Sequence, residues 1–271
     1  MSEVAVFGQY WAGDSPVHRM DPRVKMLLSL AVMVVVFCAQ GWLGLGACAA
    51  FIVGFFLAAQ IPISQALRSI APLLFLVVLT ALLNVLFVQG GEVYFQWWII
   101  CVSEEGVTRA AFVACRLFLL LMSASLLTLT TATLDITEAF ERLLAPFARI
   151  GLPAHELGMM MGIALRFLPQ FTSELRTVYR AQVSRGATFT ANPFKGGVRS
   201  LLALMIPLFT SAFRHAETLS SAMDARCYHG GVGRTRLREL SLGRLDAAGV
   251  AAVALMLAAV LACNVLAAGI L

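Results

Sequence analysis

The feature that most constrains this chain is the length of its uncharged apolar runs. Residues 26–60 contain no charged side chain, and almost all of them are apolar. A membrane-spanning helix needs about 20 mostly apolar residues at a rise of about 1.5 Å each, so this run is far too long for one crossing. The only place in this run that favours a turn is Gln40-Gly41. We therefore predict two helices, over 26–39 and 42–60, which turn near Gly41.

Three further runs have the length and polarity of spanning helices, and they cover residues 69–90, 107–132 and 246–271. The composition agrees, since 60% of the residues are hydrophobic, only 13% are charged and the mean hydropathy is +0.85. A soluble domain is about half apolar and about a quarter charged, so this chain lacks the polar surface that a water-soluble particle needs. The predicted fold is an all-α polytopic membrane protein with about five transmembrane helices.

The segment between the fourth and fifth predicted spans has a different character. Residues 133–244 hold 14 of the 20 Lys and Arg residues and 8 of the 15 acidic residues. Apolar residues recur there every three or four positions, which is typical of amphipathic helices. The periodic stretches predict helices over 135–150, 154–185 and 196–227. We therefore expect a helical insert rather than a long loop.

Local signals within the insert predict bends and a turn. Pro169 and Pro207 fall inside the predicted helices and are expected to bend them, because proline removes a backbone hydrogen bond. Ala191-Asn192-Pro193 has the composition of a turn between the second and third helices. The predicted parts of the chain are residues 1–132 with the N-terminal segment and four spans, 133–244 with the cytoplasmic helical insert, and 245–271 with the last span.

The distribution of charge predicts the orientation in the membrane. Basic side chains precede the first and third spans, whereas the link before the fourth span is acidic and contains two tryptophans. Because cytoplasmic loops carry an excess of Lys and Arg, the N-terminus is expected in the cytoplasm. Four of the five predicted crossings precede the insert, so the insert is expected in the cytoplasm as well. We predict a multi-pass protein of the cell membrane. The residues concerned are His18, Arg19, Arg23, Lys25 and Arg68 on the basic side and Glu92, Trp97, Trp98, Glu104 and Glu105 on the acidic side.

Patterns that would indicate catalysis or metal binding are absent from the sequence. There is no GxxxxGK[ST] phosphate loop, and no second histidine follows His155 at the spacing of a zincin motif. Asp135, Glu138 and Glu141 are interpreted as solvated acids near the start of a helix, where the helix dipole favours them. The basic residues flank apolar spans instead of forming a patch of their own, so a nucleic-acid partner is not predicted. We expect no catalytic residue, no bound metal and no cofactor.

Two short motifs close the long helices of the insert. In each, small residues flank an arginine, and Gly186 and Gly230 are placed to end the helices in the left-handed conformation. Each arginine can serve as a helix cap, or it can offer its guanidinium fork to a carboxylate on a partner. Two consecutive helices in a hairpin have their C-termini at opposite ends of the hairpin. The two arginine-bearing helix ends, or tips, should therefore lie far apart, one for each of two partner subunits. The motifs comprise Ser184, Arg185, Gly186, Ala225, Arg226 and Cys227.

The apolar stripe of the insert allows two interpretations. Such a stripe most often packs against a neighbouring helix as core. The insert has few elements to pack against, so part of the stripe is also a candidate surface for another protein. The candidate contact residues are Leu168, Phe171, Leu175, Met205, Phe209 and Phe213.

Arg116 is the one clearly intramembrane charge of the predicted spans. Ionisable residues within a membrane usually have a functional or pairing role, because leaving a charge unpaired in lipid is costly. The sequence leaves open whether Arg116 pairs with Asp135 or extends toward the membrane surface.

The chain resembles the transmembrane coupling protein, or T component, of energy-coupling factor (ECF) transporters over nearly its whole length. The most specific likeness lies in the two insert motifs, which are similar to the Ala-Arg-Gly-type coupling signatures of that family and occur in order at helix ends after four spans. Ser184 stands where alanine is usual, and Cys227 stands where glycine is often found. The matching stretches are Gly13-Asp14-Ser15-Pro16, His18 to Lys25, Leu126 to Thr131, Ala164 to Phe167, Ala181 to Ala187 and Ala222 to Tyr228.

The resemblance implies a non-catalytic transport subunit with several partners. Arg185 and Arg226 would dock on two ABC-type ATPases, which hydrolyse ATP, and the membrane helices with the apolar stripe would hold a substrate-binding membrane (S) subunit. The Cys227-Tyr228 form resembles that of shared modules for vitamin or micronutrient uptake. The alternatives are a conventional ABC permease that binds substrate itself and a dedicated cobalt or nickel uptake T component.

Overall fold

The computed structural model describes residues 10–11, 13–88, 90, 93–97, 100–146, 153–187, 189, 197–230 and 243–270. Their contacts divide the chain into two compact units. We call Met1–Ala139 with Arg238–Leu271 the membrane unit, and Phe140–Leu237 the insert unit. The elements in chain order are α1 (Pro22–Cys38), α2 (Trp42–Ala59), α3 (Ile63–Phe87), β1 (Val93–Trp97), β2 (Ile100–Ser103), α4 (Glu104–Thr130), α5 (Thr133–Leu144), α6 (Ala154–Ser184), α7 (Gly197–Ala225) and α8 (Arg244–Ile270).

The predicted polytopic, helical fold is confirmed. Within the described residues, four helices are long and apolar enough to cross a membrane, namely α2, α3, α4 and α8 over Arg244–Leu266. The first predicted span is α1, which has 17 residues and covers about 26 Å, slightly less than a bilayer core of about 30 Å. The predicted count of five crossings therefore includes one helix at the lower limit of spanning length.

The turn predicted near Gly41 is present, because α1 ends at Cys38 and α2 begins at Trp42 with Gly41 as its N-cap residue. Strands β1 and β2 form an antiparallel pair that was not predicted from the sequence, in which Val93 lies opposite Ser103 and Trp97 lies opposite Ile100. This pair joins α3 to α4.

Local capping explains where two of the membrane helices begin. The Asp21 carboxylate accepts a hydrogen bond from the Arg23 N–H at 2.9 Å, and Pro22 occupies the first position of α1. The Ser103 hydroxyl likewise accepts from the Gly106 N–H at 3.1 Å. These side chains satisfy backbone donors that have no partner within the helix.

The core of the membrane unit is small and apolar. Val36, Cys48, Phe56 and Met256 lie almost completely inside it, contributed by α1, α2 and α8. Many large apolar side chains face outward instead, such as Phe75, which is 72% exposed. Outward apolar faces of this kind suit a lipid environment, in which covering them with protein gains little.

A polar contact network joins the N-terminal segment to the ends of two helices. Asp246 accepts hydrogen bonds from the Asp21 N–H at 2.8 Å and from the Gly243 N–H at 2.7 Å. The Lys25 ammonium donates to the Thr130 carbonyl at 3.1 Å, at the negative end of α4. The sequence had suggested that Lys25 is a charge that precedes the first span. The structure shows instead that Lys25 is a buried residue of α1.

The contacts of Arg116 lie at the turn between α1 and α2. Its Nη2 donates to the Ala39 carbonyl, and its guanidinium carbon lies 4.7 Å from the centre of the Phe112 ring. Asn264 donates to the Cys38 carbonyl at 2.7 Å. Arg116 and Asn264 thus bind the turn between α1 and α2, whereas Asp135 interacts electrostatically with Lys25.

The insert helices broadly match their predicted ranges. The first is shorter than predicted, because α5 ends at Leu144 rather than near residue 150. Helices α6 and α7 continue through Pro169 and Pro207. The turn predicted at Ala191-Asn192-Pro193 lies outside the described residues, as do Glu92 and Trp98.

Candidate coupling surface of the insert

Helix α6 ends in a Schellman motif centred on Arg185. The Ala187 N–H donates to the Gln182 carbonyl at 3.0 Å, and the Gly186 N–H donates to the Val183 carbonyl at 2.9 Å. Gly186 has a φ of +86°, a left-handed conformation that glycine adopts without steric cost. Arg185 is therefore the C-cap residue of α6, with Gly186 directly after it.

Helix α7 ends with the same motif. The Tyr228 N–H donates to the Met223 carbonyl at 3.1 Å, and the Cys227 N–H donates to the Asp224 carbonyl at 2.9 Å. Arg226 thus occupies the C-cap position that Arg185 holds in α6. The left-handed residue is Cys227, with a φ of +53°. The prediction that Gly230 ends this helix is wrong: Gly230 also has a positive φ, +96°, but lies three positions beyond Cys227.

The residues of both motifs lie on the surface. Ser184, Arg185, Gly186, Ala225, Arg226 and Cys227 are all exposed.

The Ser184 hydroxyl donates to the Arg180 carbonyl at 3.0 Å, so it is satisfied within its own helix. Serine at this position therefore leaves no unpaired donor to be buried when the tip is covered. The sequence difference at Ser184 is compatible with a tip that enters a groove.

Helices α6 and α7 form an antiparallel pair. Gln182 of α6 donates to the Ala203 carbonyl of α7 at 3.3 Å, and Ser211 of α7 donates to Glu174 of α6 at 2.8 Å. Earlier residues of α6 therefore lie beside later residues of α7. By this register, the end of α7 lies opposite the first half of α6. At about 1.5 Å per residue, the two arginine tips are separated by roughly 35 Å along the pair.

The Gln182 contact compensates for the proline within α7. Pro207 has no N–H, so the Ala203 carbonyl four residues earlier lacks its helical donor. The Gln182 side-chain amide from α6 supplies a donor to this carbonyl. The helix therefore passes through Pro207 with the freed acceptor bound by its neighbour.

A polar cluster between α6 and α7 was missed by the sequence analysis. Glu174 Oε1 lies 2.7 Å from His215 Nε2, and its other oxygen accepts from the Ser211 hydroxyl. The hydrogen bonds from His215 and then Ser211 hold the pKa of the Glu174 carboxyl below its usual range, so this group is ionised at neutral pH. The only sequence signal is that these polar residues border the apolar stripes of their helices.

The candidate apolar contact residues do not form an enclosed core. Leu175, Phe209 and Phe213 are exposed, with Phe213 73% exposed, whereas the other three are partly buried. Neighbouring apolar residues that the sequence analysis did not select, including Leu201 and Ile206, are exposed as well. The partly buried members are Leu168, Phe171 and Met205.

The acids at the start of the insert are not all solvated. Glu141 lies in the last turn of α5, and its Oε1 is 3.1 Å from His155 Nδ1. Gly158 makes room for this contact, since a Cβ on Gly158 would lie 2.3 Å from the Glu141 side chain. The described part of the chain contains no group of three or more His, Cys, Asp or Glu residues that could hold a metal ion.

Comparison with known proteins identifies the family. The profile of the CbiQ family, described as cobalt transport protein, matches residues 13–237, which is more than half of the chain.

Several curated relatives are named as energy-coupling factor transporter proteins, and they match this chain over most of their length. An energy-coupling factor transporter transmembrane protein, EcfT, of Brevibacillus brevis is 42% identical over 253 residues, covering 93% of this chain and 95% of the relative. The protein of the same name from Acidaminococcus fermentans is 45% identical over 240 residues, covering 89% of each chain. That of Thermosediminibacter oceani is 41% identical over 256 residues, covering 94% and 96%. This chain therefore belongs to the family of transmembrane energy-coupling components of ECF transporters.

Proposed function

We propose that the insert couples two cytoplasmic ABC-type ATPases to a substrate-binding membrane subunit. One observation carries this proposal: Arg185 and Arg226 occupy the same C-cap position, both exposed, at the ends of two antiparallel helices. A guanidinium at a helix tip flanked by small residues can enter a groove and form a bidentate pair with a carboxylate. Two equivalent tips roughly 35 Å apart suit two copies of one kind of partner.

The partner of the apolar stripe is proposed to be the substrate-binding S subunit. Phe209 and Phe213 are large and exposed, and a membrane subunit presents apolar surface to match them. ATP hydrolysis by the ATPases would move the insert, and the insert would reorient the S subunit. The chain itself then needs neither catalytic residues nor a cofactor.

The proposed placement is a multi-pass protein of the cell membrane with its N-terminus and insert in the cytoplasm. Residues 1–132 and 245–271 would lie in or beside the lipid bilayer, and 133–244 would form the coupling segment. The basic side chains before the first and third spans support this orientation.

The proposed cargo class is vitamins or other micronutrients, received from an S subunit. The family description favours cobalt uptake as the second candidate. In either case the cargo would be selected by another chain. A conventional permease would bind substrate itself, so substrate binding by the isolated chain would favour that alternative over a coupling subunit.

Charge reversal of the tips tests the docking proposal. Arg185→Glu and Arg226→Glu should each reduce co-purification of the ATPases and lower uptake by about tenfold or more, because a carboxylate would repel the acceptor carboxylate. Arg180→Glu is the matched control, since this exposed side chain lies on α6 just before the motif. The control should retain assembly and uptake within about twofold. Normal assembly and transport in both tip variants would refute the docking assignment.

A further inference from the structure

The polar cluster between α6 and α7 has an unusual concentration of contacts for two surface helices. The Glu174 carboxylate faces His215 at 2.7 Å, the Ser211 hydroxyl at 2.8 Å and the Gln170 amide at 3.4 Å. With the His215 proton on Nε2, all three neighbours donate to the one carboxylate. Charge-assisted hydrogen bonds are shorter and stronger than neutral ones. We call Gln170, Glu174, Ser211 and His215 the crossing cluster.

Two aromatic side chains shield this cluster from one side. The His215 ring stacks on Phe167 with 5.9 Å between ring centres and contacts Phe171 at 5.8 Å. The side chains of Glu174 and His215 are only 26% and 28% exposed. A hydrogen-bonded pair held in this way is screened less by water and salt than a fully exposed surface pair. The contact therefore restricts both the distance between the helices and their rotation.

The crossing cluster lies at equal chain distances from the two arginine tips. Glu174 precedes Arg185 by 11 positions (185 − 174), and His215 precedes Arg226 by 11 positions (226 − 215). Each arm is therefore about 16 Å long. Eleven residues also make slightly more than three whole turns of an α-helix, so each arginine projects from its helix in nearly the same direction as the cluster residue on that helix.

We infer that the crossing cluster is the fulcrum of the insert, with Glu174 and His215 as positioning residues that fix the angle between the two tip-bearing arms. This inference rests on the proposed docking of Arg185 and Arg226. Apolar ridges alone permit helices to pack at several angles, whereas a directional hydrogen-bonded pair selects one. A displacement imposed on one tip would then move the other tip, instead of being absorbed by sliding between α6 and α7.

Transport measurements on the whole complex test the role of the cluster. Glu174→Ala and His215→Ala should leave co-purification with the ATPases and the rate of ATP hydrolysis within about twofold. Cargo uptake per ATP hydrolysed should fall about tenfold, because the arms no longer move together. The reciprocal double variant Glu174→His with His215→Glu restores the pair in reverse and should recover most of the coupling. Glu217→Gln, an exposed change close by on α7, is the control and should have no effect.

A distance measurement tests the same inference without relying on transport. Spin labels at Arg180→Cys and Glu217→Cys, with the native cysteines replaced by serine, report on the α6 arm and the α7 arm beyond the cluster. The distance distribution should be narrow in the parent chain, broad in Glu174→Ala, and narrow again in the reciprocal variant.

The outcomes separate the two proposals. Unchanged uptake per ATP together with an unchanged distance distribution in Glu174→Ala would overturn the fulcrum. Equal loss of coupling in Glu174→Ala and in the reciprocal variant would also overturn it, because it would indicate a general packing defect. If Arg185→Glu and Arg226→Glu had no effect, the docking proposal would fail, and the spin-label distances would still decide whether the cluster fixes the angle.

Discussion

At the scale of single residues, the two arginine tips differ mainly in the residue that adopts the left-handed conformation. Gly186 has no Cβ and meets no steric penalty at a φ of +86°. Cys227 occupies the equivalent position at +53° with a side chain, which costs about 1–2 kcal/mol. The second tip therefore carries a backbone strain that the first tip lacks.

Exchanging these residues should change stability in opposite directions. Gly186→Cys should lower the free energy of unfolding by about 1 kcal/mol, because the new Cβ enters a disfavoured region. Cys227→Gly should raise it, by less than about 1 kcal/mol, since glycine also increases the entropy of the unfolded chain. Thermal unfolding of the purified chain in detergent provides the measurement. Shifts of the same sign in both variants would contradict this account.

At the scale of elements, the antiparallel pair of α6 and α7 is held together by polar contacts at separate levels. One level is the crossing cluster, and the other is the bond from Gln182 to the Ala203 carbonyl that Pro207 leaves without a helical donor. The bond from Gln182 matters because Pro207 removes the helical donor, so it can be tested by substituting Gln182 and Pro207 singly and together.

A double-mutant cycle on Gln182 and Pro207 should show energetic coupling. In the parent chain, Gln182→Ala should destabilise the insert by about 1 kcal/mol, because the Ala203 carbonyl loses its donor. In a Pro207→Ala background, the restored N–H supplies that donor, so Gln182→Ala should cost much less. We expect an interaction energy of about 0.5–1 kcal/mol from unfolding measurements on the four proteins. Additive effects would exclude the proposed compensation.

At the scale of the whole molecule, Asp246 joins distant parts of the sequence in the membrane unit. It is buried and accepts hydrogen bonds from the Asp21 N–H and the Gly243 N–H. The N-terminal segment is thereby attached at the start of α8, and Lys25 attaches α1 to the end of α4. The N-terminal stretch that contains Asp21 and Lys25 therefore has a structural role.

Removal of this carboxylate should weaken the membrane unit. Asp246→Ala leaves two backbone donors without acceptors, so we expect a loss of about 2–4 kcal/mol and a lower midpoint of thermal unfolding. Asp14→Ala is the matched control, because the Asp14–Arg19 ion pair is exposed and should contribute little to stability. A similar loss in the two variants would refute the special role of Asp246.

The proposed orientation can be checked through the exposed Cys227 thiol. In a variant that keeps Cys227 as its only cysteine, a membrane-impermeant maleimide should label inside-out vesicles and leave right-side-out vesicles unlabelled. Glu105→Cys in a cysteine-free chain should show the reverse pattern, since Glu105 lies at the opposite end of α4 from the insert. Labelling of Cys227 in right-side-out vesicles would invert the proposed topology.

Features that depend on neighbours along the chain could be predicted from the amino-acid sequence. The apolar runs predicted the membrane helices, and Ser-Arg-Gly and Ala-Arg-Cys predicted the two helix ends, because spans and caps are formed by residues a few positions apart. The error at Gly230 also concerned neighbouring residues. Glycine is the usual left-handed residue after a helix, and no local pattern indicated that Cys227 would adopt this conformation instead.

The contacts between polar side chains that are distant in sequence could not be predicted in this way. Glu174 and His215 are 41 positions apart, and Asp21 and Asp246 are 225 positions apart. Whether such residues touch depends on the register between helices and on the rotation of each helix about its axis, neither of which is encoded by local spacing. For the same reason the burial of Lys25 and the contact of Arg116 with the α1–α2 turn emerged only from the packed chain.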